Sequence, residues 1–277
     1  MARGLRPDGV CDEHTWTALV EASWKFGDRS LHLTAPNLRG DDVAELQARL
    51  ARLGFDSGRV DGILGPRTAR ALEDFQSNCG LLADAVCGPV TVRAILRVSS
   101  QTGDGPGVVV VRERERLRNG WGSVAECRIV VGQFGGLSAL TRTVGRELRH
   151  LGATVMSLDE PDAVAQAIAA NHFAAHVYLG FEAQVAPAVV AHFYQVPTFE
   201  SVAGRNLAET LAGELASLAE VEGTTASVAG MRLPVLRETR MPAVLLTVGP
   251  VRAAVDQSGR IAEATIRALQ LWTSRAS

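Results

Sequence analysis

The chain has 277 residues, 47% of them hydrophobic, and a formal net charge of −2. A length of this order suggests about two domains, and a near-neutral balance offers no basic field for nucleic acid. No apolar run approaches the roughly 18 residues of a membrane span, and the first residues hold no apolar stretch of the signal-peptide kind.

From the N-terminus onward one short pattern occurs three times, beginning at Asp8, Asp61 and Asp84. Each copy places an apolar residue two positions after the Asp and a Thr seven positions after it (Thr15, Thr68, Thr91). Each closes on Ala-Leu or Ala-Ile. Such repetition decides the fold more strongly than any local propensity. In the second and third copies Gly-Pro stands directly before a helical run, and Pro is well tolerated in a first helical turn. Asp61, Gly65, Asp84 and Gly88 are therefore expected to set turn geometry. Val43, Leu46, Leu50 and Leu53 are spaced three and four apart, one apolar helix face, with Asp41 or Asp42 to cap its start and Gly54 to end it. Residues Asp41 to Val98 thus form three short helices in a small bundle.

Cys11 and Cys87 occupy the repeat position that holds Leu64 in the second copy, so both are expected to act as small apolar plugs. With Cys79 and Cys127 they form no CxxC pair, which disfavours a structural zinc site. Reduced thiols at this density suit a cytoplasmic protein. Trp16 stands where the other copies have Ala69 and Val92, and Trp272 lies on a closing helix. Core packing is the expected role of both, and of Trp24 and Trp121, over stacking on sugars.

Ser99 to Gly107 is a linker by composition. Val108 to Val111 is apolar, and the alternating charges of Arg112 to Arg116 form a solvated face. From Cys127 strands alternate with helices. Strands are expected near Arg128–Val131, Ala153–Met156, His176–Gly180 and Ala243–Val248. Helices are expected over Leu140–Leu151, Ala163–Ala170, Val202–Leu218 and Ile261–Trp272. This alternation indicates an α/β domain with a largely parallel sheet. The fold class is therefore α plus α/β, with a partial repeat at 1–28, a helical bundle at 37–98, a linker at 99–126 and an α/β domain at 127–277.

Two segments resemble known families. Val43-x-x-Leu46-Gln47-x-x-Leu50-x-x-Leu53-Gly54-Phe55, followed by Asp61-Gly62-x-x-Gly65-x-x-Thr68-x-x-Ala71-Leu72-x-x-Phe75-Gln76, resembles the three-helix peptidoglycan-binding domain of cell-wall hydrolases. Gly4 to Leu19 resembles the last third of another such domain, whose remainder would precede Met1. Residues Val235 to Gly249, with Gly204-Arg205-Asn206-Leu207-Ala208 and Gly135-Gly136, resemble the amidase-3 type of zinc-dependent N-acetylmuramoyl-L-alanine amidases. Peptidoglycan-binding repeats followed by an amidase-like domain also resemble actinobacterial CwlM-type proteins.

The amidase resemblance implies a zinc held by two His and one Glu, an activated water, and a further Glu as general base and acid. Carried over residue by residue, the first His falls on Phe134 and the second on Glu182. The segment bearing the ligand Glu is absent after Gly136, and the catalytic Glu falls on Thr247. Neither a phenyl ring nor a threonine can take those roles, so a catalytically degenerate domain without catalytic residues or cofactor is expected. The alternative is an active zinc amidase that cleaves the bond between muramic acid and the stem peptide. A rebuilt metal site would draw on His172, His176 and Glu182, although Asn171 to Ala175 has the character of a turn that separates the two histidines. The resemblance further implies glycan or peptide binding near Asp61, Gly65, Asp84 and Gly88. It implies peptidoglycan or muropeptide precursors as ligand, an enzyme of cell-wall synthesis as partner, and regulation of that synthesis.

Overall fold

The computed structural model describes residues 5, 9–99, 122–196, 199–221 and 223–274, which form two compact units. Asp8, most of the linker, the 108–111 and 112–116 segments and Trp121 lie outside the described residues.

The first unit holds α1 (Glu13–Ser23), α2 (Asp41–Arg52), α3 (Pro66–Asn78) and α4 (Pro89–Ser99). Leu46, Leu50, Leu64, Leu72, Phe75, Cys87 and Ile95 make its core. Phe55 meets the edge of Phe75 with ring centroids 5.6 Å apart. Gly54, at φ +95°, ends α2: its N–H donates to Ala51 O, and that of Phe55 donates to Leu50 O, the paired bonds that an αL residue makes possible.

The start of α2 differs from expectation. Its N-cap is Gly40, and neither Asp41 nor Asp42 caps it. Asp42 is instead buried, with its carboxylate 2.7 Å from Arg29 Nε and 3.1 Å from Arg29 Nη2. A Cβ at Gly40 would lie 2.2 Å from Asp42 Oδ1, so the folded-back carboxylate requires glycine at the cap. Arg29 also donates to Arg39 O and lies 4.6 Å from the centre of the Trp24 ring, which accounts for the half-buried Trp24.

The repeat has a common physical basis. The residue after each Asp is left-handed in all three copies: Gly9 at φ +79°, Gly62 at +72° and Ala85 at +55°. In the second copy the Gln47 amide spans the turn. Its nitrogen donates to Asp61 Oδ1 (2.9 Å), Ile63 O (3.0 Å) and Thr68 Oγ1 (3.1 Å), and its oxygen accepts from the N–H of Asp61 and Gly62. Gln76 repeats this on Asp84 Oδ1 (2.8 Å), Val86 O (3.0 Å), Thr91 Oγ1 (3.2 Å) and the N–H of Ala85. The seven-residue spacing from Asp to Thr is thus the span one glutamine can clasp.

Leu64 and Cys87 fill equivalent buried slots, but Cys11 is exposed, and so is Trp16 at 62%. Both depart from their expected core positions because α1 turns Glu21, its only buried residue, toward the unit and leaves the Trp16 stripe outward. Burial pushes the Cys87 thiol up to about 12 and that of Cys127 up to about 11, so neither forms thiolate near neutrality. Iodoacetamide at about pH 8 should alkylate Cys11 and Cys79 of the folded chain and reach Cys87 and Cys127 only after denaturation. Equal labelling of all four thiols under native conditions would contradict this packing.

The second unit carries a mixed sheet flanked by helices. In chain order it contains β1 (Arg128–Phe134), α5 (Ser138–His150), β2 (Thr154–Leu158), α6 (Ala163–His172) and β3 (Val177–Ala183). Then come β4 (Ala188–Val196), β5 (Phe199–Glu200), α7 (Val202–Val221), β6 (Ala226–Met231), α8 (Pro234–Glu238), β7 (Ala243–Gly249), α9 (Val251–Asp256) and α10 (Ser258–Ser274). The strand order is β2-β1-β3-β7-β4-β5, with β6 also on β4. β2, β1, β3 and β7 are parallel, as the alternation of strands and helices predicts. β4 runs antiparallel to β7 and departs from the expected parallel pattern, although β6 is parallel to β4. Only four residues separate β3 from β4, too few for the crossover that a parallel return needs.

One sheet face presents Ile129, Val131, Leu179, Phe181, Val244 and Leu246 to a helical layer. Val144 of α5, Leu207 and Leu211 of α7, and Ile261 and Trp272 of α10 complete that core. Val124, in a short 3-10 turn over Val124–Glu126, joins it. The opposite face carries Tyr178, whose hydroxyl donates to Gln166 of α6 at 2.7 Å.

Candidate functional site

The ends of the parallel strands bring three expected positions into one row. Phe134 closes β1 and pairs in register with Glu182 of β3, which pairs in register with Thr247 of β7. Register partners on adjacent strands project to the same face, about 4.8 Å apart. Thr247 is buried and its hydroxyl lies 3.5 Å from Glu182 Oε2, while Phe134 and Glu182 are half-buried. The carboxyl edge of a parallel sheet is where open α/β folds place ligands.

The layer beneath this row is polar and locked. Gln166 and Tyr178 are both fully buried, and Gln166 Nε2 donates to Gln133 O at 3.0 Å and to Glu160 O at 2.6 Å. A Cβ at Gly132 would lie 2.0 Å from Gln166 Oε1, so a glycine there lets the glutamine reach the strand. Gln133, on the other face, donates to Asp159 and accepts from the Leu137 N–H, which ties the end of β1 to the start of α5. Sequence reasoning missed Gln133, Gln166 and Tyr178. A buried Gln with several partners has no short motif, and only the Gly132–Gly180 pairing hints at a close approach.

The alternative trio does not assemble. His172 ends α6, and Ala174, at φ +50°, turns the chain before His176. His176 Nδ1 accepts from the Arg128 N–H at 3.3 Å at the opposite end of β3 from Glu182. Six residues of strand put them roughly 20 Å apart along the sheet. Burial, and then the neighbouring Arg128 charge, hold the His176 imidazole below its ordinary value.

His192 of β4 lies between Leu245 and Ala229 in register, and burial likewise holds its imidazole below the usual 6.5. The unfolded chain takes up that proton more readily. The neutral side chain therefore contributes stability that is present above about pH 6.5 and lost as pH falls. His192→Gln should flatten the fall in melting temperature between about pH 7 and about pH 5; an unchanged slope would contradict a half-buried neutral His192.

In the helical unit Asp61 and Asp84 spend their carboxylates inside the turns, each accepting from the N–H two residues on and from the clasping glutamine. The bond from the Val86 N–H, then that from Gln76, holds the Asp84 carboxyl below its usual range. Gly65 is the N-cap of α3, and Gly88 stands at the start of α4, whose Val92 N–H donates to Gly88 O. The two turns each hold one Asp and one Gly of the expected binding set.

The putative peptidoglycan binding domain family matches residues 39–95, which contain both glutamine clasps whole. N-acetylmuramoyl-L-alanine amidase CwlM of Mycobacterium tuberculosis is 32% identical over 286 residues, covering 92% of this chain and 70% of that protein. A spore cortex-lytic enzyme of Oceanobacillus iheyensis is 43% identical over 61 residues, 22% of each chain. The solved N-acetylmuramyl-L-alanine amidase of Mycobacterium smegmatis aligns with a TM-score of 0.46 at 13% identity, covering 55% of this chain and 99% of that one.

A peptidoglycan-binding helical domain followed by an α/β domain of amidase type defines the class of protein. The chain belongs to the family of the N-acetylmuramoyl-L-alanine amidase CwlM.

The donor set at the sheet edge does not fit the zinc that the amidase resemblance implies. A catalytic zinc takes three nitrogen, sulfur or carboxylate ligands and a water, and the row supplies one carboxylate beside a phenyl ring and a hydroxyl. Among the described residues no three His, Cys, Asp or Glu side chains cluster as a metal site would require.

Proposed function

We propose that the α/β unit is a catalytically degenerate amidase domain and that the protein binds peptidoglycan or a soluble muropeptide precursor. It would regulate cell-wall synthesis through a partner enzyme rather than hydrolyse the wall. The observation that carries this reading is the row Phe134–Glu182–Thr247, where three strand ends bring together a phenyl ring, one carboxylate and one hydroxyl. The helical unit supports the binding half, since its match is to a peptidoglycan-binding family. The free thiols Cys11, Cys79, Cys87 and Cys127 support a reducing, cytoplasmic setting.

The test is zinc content together with stem-peptide release. Chain purified without chelator from zinc-supplemented medium should hold well under one zinc per molecule, release no stem peptide from muropeptide, and still bind sacculi or soluble muropeptide. About one zinc per chain with turnover would establish instead the active amidase suggested by the family, and the degenerate reading would fall.

A further inference from the structure

We propose that the outward face of α1 is a docking site for a partner helix that is amphipathic and carries a glutamine beside its apolar stripe. The face lies in the helical unit, and its assignment does not depend on whether the α/β unit hydrolyses anything.

The internal repeat gives each position of the first copy two counterparts. Leu19 is 53% exposed, whereas Leu72 and Ile95, at the same place in the later copies, are fully buried. Cys11 is exposed, whereas Leu64 and Cys87 are fully buried. Trp16 and Val20 extend Leu19 into one apolar stripe, with the three- and four-residue spacing of a helix face. Single exposed apolar residues are ordinary, but a contiguous stripe on a helix that buries only Glu21 marks a contact surface.

The polar groups beside the stripe identify what covers it. In the later copies the covering helix supplies one primary amide. Gln47 accepts from the Gly62 N–H (2.8 Å) and donates to Thr68 Oγ1 (3.1 Å). Gln76 accepts from the Ala85 N–H (2.9 Å) and donates to Thr91 Oγ1 (3.2 Å). Each glutamine directly follows a buried apolar residue of its helix, Leu46 or Phe75. In the first copy Gly9 has the same left-handed backbone, at φ +79°, and Thr15 holds the place of Thr68 and Thr91. Among the described residues no glutamine reaches the Gly9 N–H or the Thr15 hydroxyl. One donor and one acceptor, matched to a single carboxamide, thus stand beside an apolar stripe.

That combination selects one occupant. The α1 of a second copy has the stripe but no glutamine, so an α1–α1 pair would leave both polar groups unmet. A sugar ring stacks on Trp16 and leaves Leu19 and Cys11 in water. A helix of the α2 kind meets all three demands, with Leu46 and Leu50 for the stripe and Gln47 for the turn.

The full chain is mixed with a synthetic peptide of the α2 sequence, Gly40–Phe55, at up to about 1 mM, because an isolated helix of this length is only partly formed in water. Alkylation of Cys11 by iodoacetamide is followed by mass spectrometry, with the exposed Cys79 as internal reference. The peptide should slow Cys11 labelling by at least about 5-fold and leave Cys79 unchanged, since thiol reactivity needs access. The Gln47→Glu peptide should bind about 10-fold more weakly, of the order expected when a covered hydrogen bond loses its donor. L19S in the chain should weaken binding by about 10-fold while the melting temperature stays within a degree or so, because Leu19 is an exposed position. Amide shifts over residues 61–68 report whether the peptide displaces the chain's own α2. Unchanged Cys11 labelling at the highest peptide concentration, equal affinity of the two peptides, or undiminished binding in L19S overturns the proposal, and so does displacement of α2. A dimer of the chain alone that W16S abolishes would assign the face to a second copy and overturn it too.

Discussion

Gln47→Glu is expected to unfold the helical unit, or to leave it marginal, although the change keeps the side chain's size. The Gln47 nitrogen donates to Asp61 Oδ1, Ile63 O and Thr68 Oγ1, and Gln47 is 1% exposed. A carboxylate there turns that donor into an acceptor facing a second carboxylate and a carbonyl, with little water to separate them. Leaving buried polar groups unsatisfied costs about 1–3 kcal/mol each, and burying a like charge costs more. A unit of this size has only a few kcal/mol in reserve, of the order of 0.1 kcal/mol per residue. Hydrogen exchange should show protection lost across residues 59–68 at temperatures where the wild type is protected. Arg67→Ala serves as control, because the Arg67–Asp56 pair is exposed and worth under about 1 kcal/mol. Native protection in Gln47→Glu would show that the clasp does not hold the turn.

Trp272→Ala should be the most damaging single truncation in the α/β unit. Trp272 is 1% exposed on α10, within the core that also receives Val144, Leu211 and Leu246. Removing an indole from a close-packed site forfeits its transfer energy and leaves a cavity, about 3–5 kcal/mol together. For a unit of this size that lowers the melting temperature by about 10 °C. Trp16→Ala, at 62% exposure, is the matched control and should change stability by less than about 0.5 kcal/mol. Similar losses from both would mean that Trp16 is covered in solution. Differential scanning calorimetry distinguishes these results.

The fold was largely legible because its elements announce themselves by period. Leu46, Leu50, Leu72 and Ile95 mark helix faces, and β7 is apolar but for Thr247 and buried along its whole length. β4 and β6 were missed. β4 breaks the parallel pattern and β6 joins the sheet only through it, and neither alternates apolar with polar residues along its sequence, although burial does alternate from Ala188 to Phe193. At the candidate site, resemblance located Phe134, Glu182 and Thr247, and strand register explains why residues so far apart in the chain meet. The supports Gln133, Gln166 and Tyr178 stayed hidden because their roles depend on long-range hydrogen bonds. Asp42 and Trp16 misled for the same reason: what decided their roles was which neighbour each met, Arg29 for the first and open solvent for the second.

The paired clasps also bear on how this domain tolerates change in length. From Asp to Thr the count is seven in both, yet Gln47 precedes its Asp by 14 residues and Gln76 precedes its own by 8. The stretch between helix end and turn is thus free to vary while the turn itself is not. Lengthening a flexible connection costs only about 0.6 kcal/mol per doubling. A peptide tag grafted between the exposed Leu82 and Ala83 should leave both glutamines their partners, whereas one added residue between Asp61 and Thr68 would move the threonine out of reach. The domain behaves as a modular cassette whose spacers are editable and whose hinges are not.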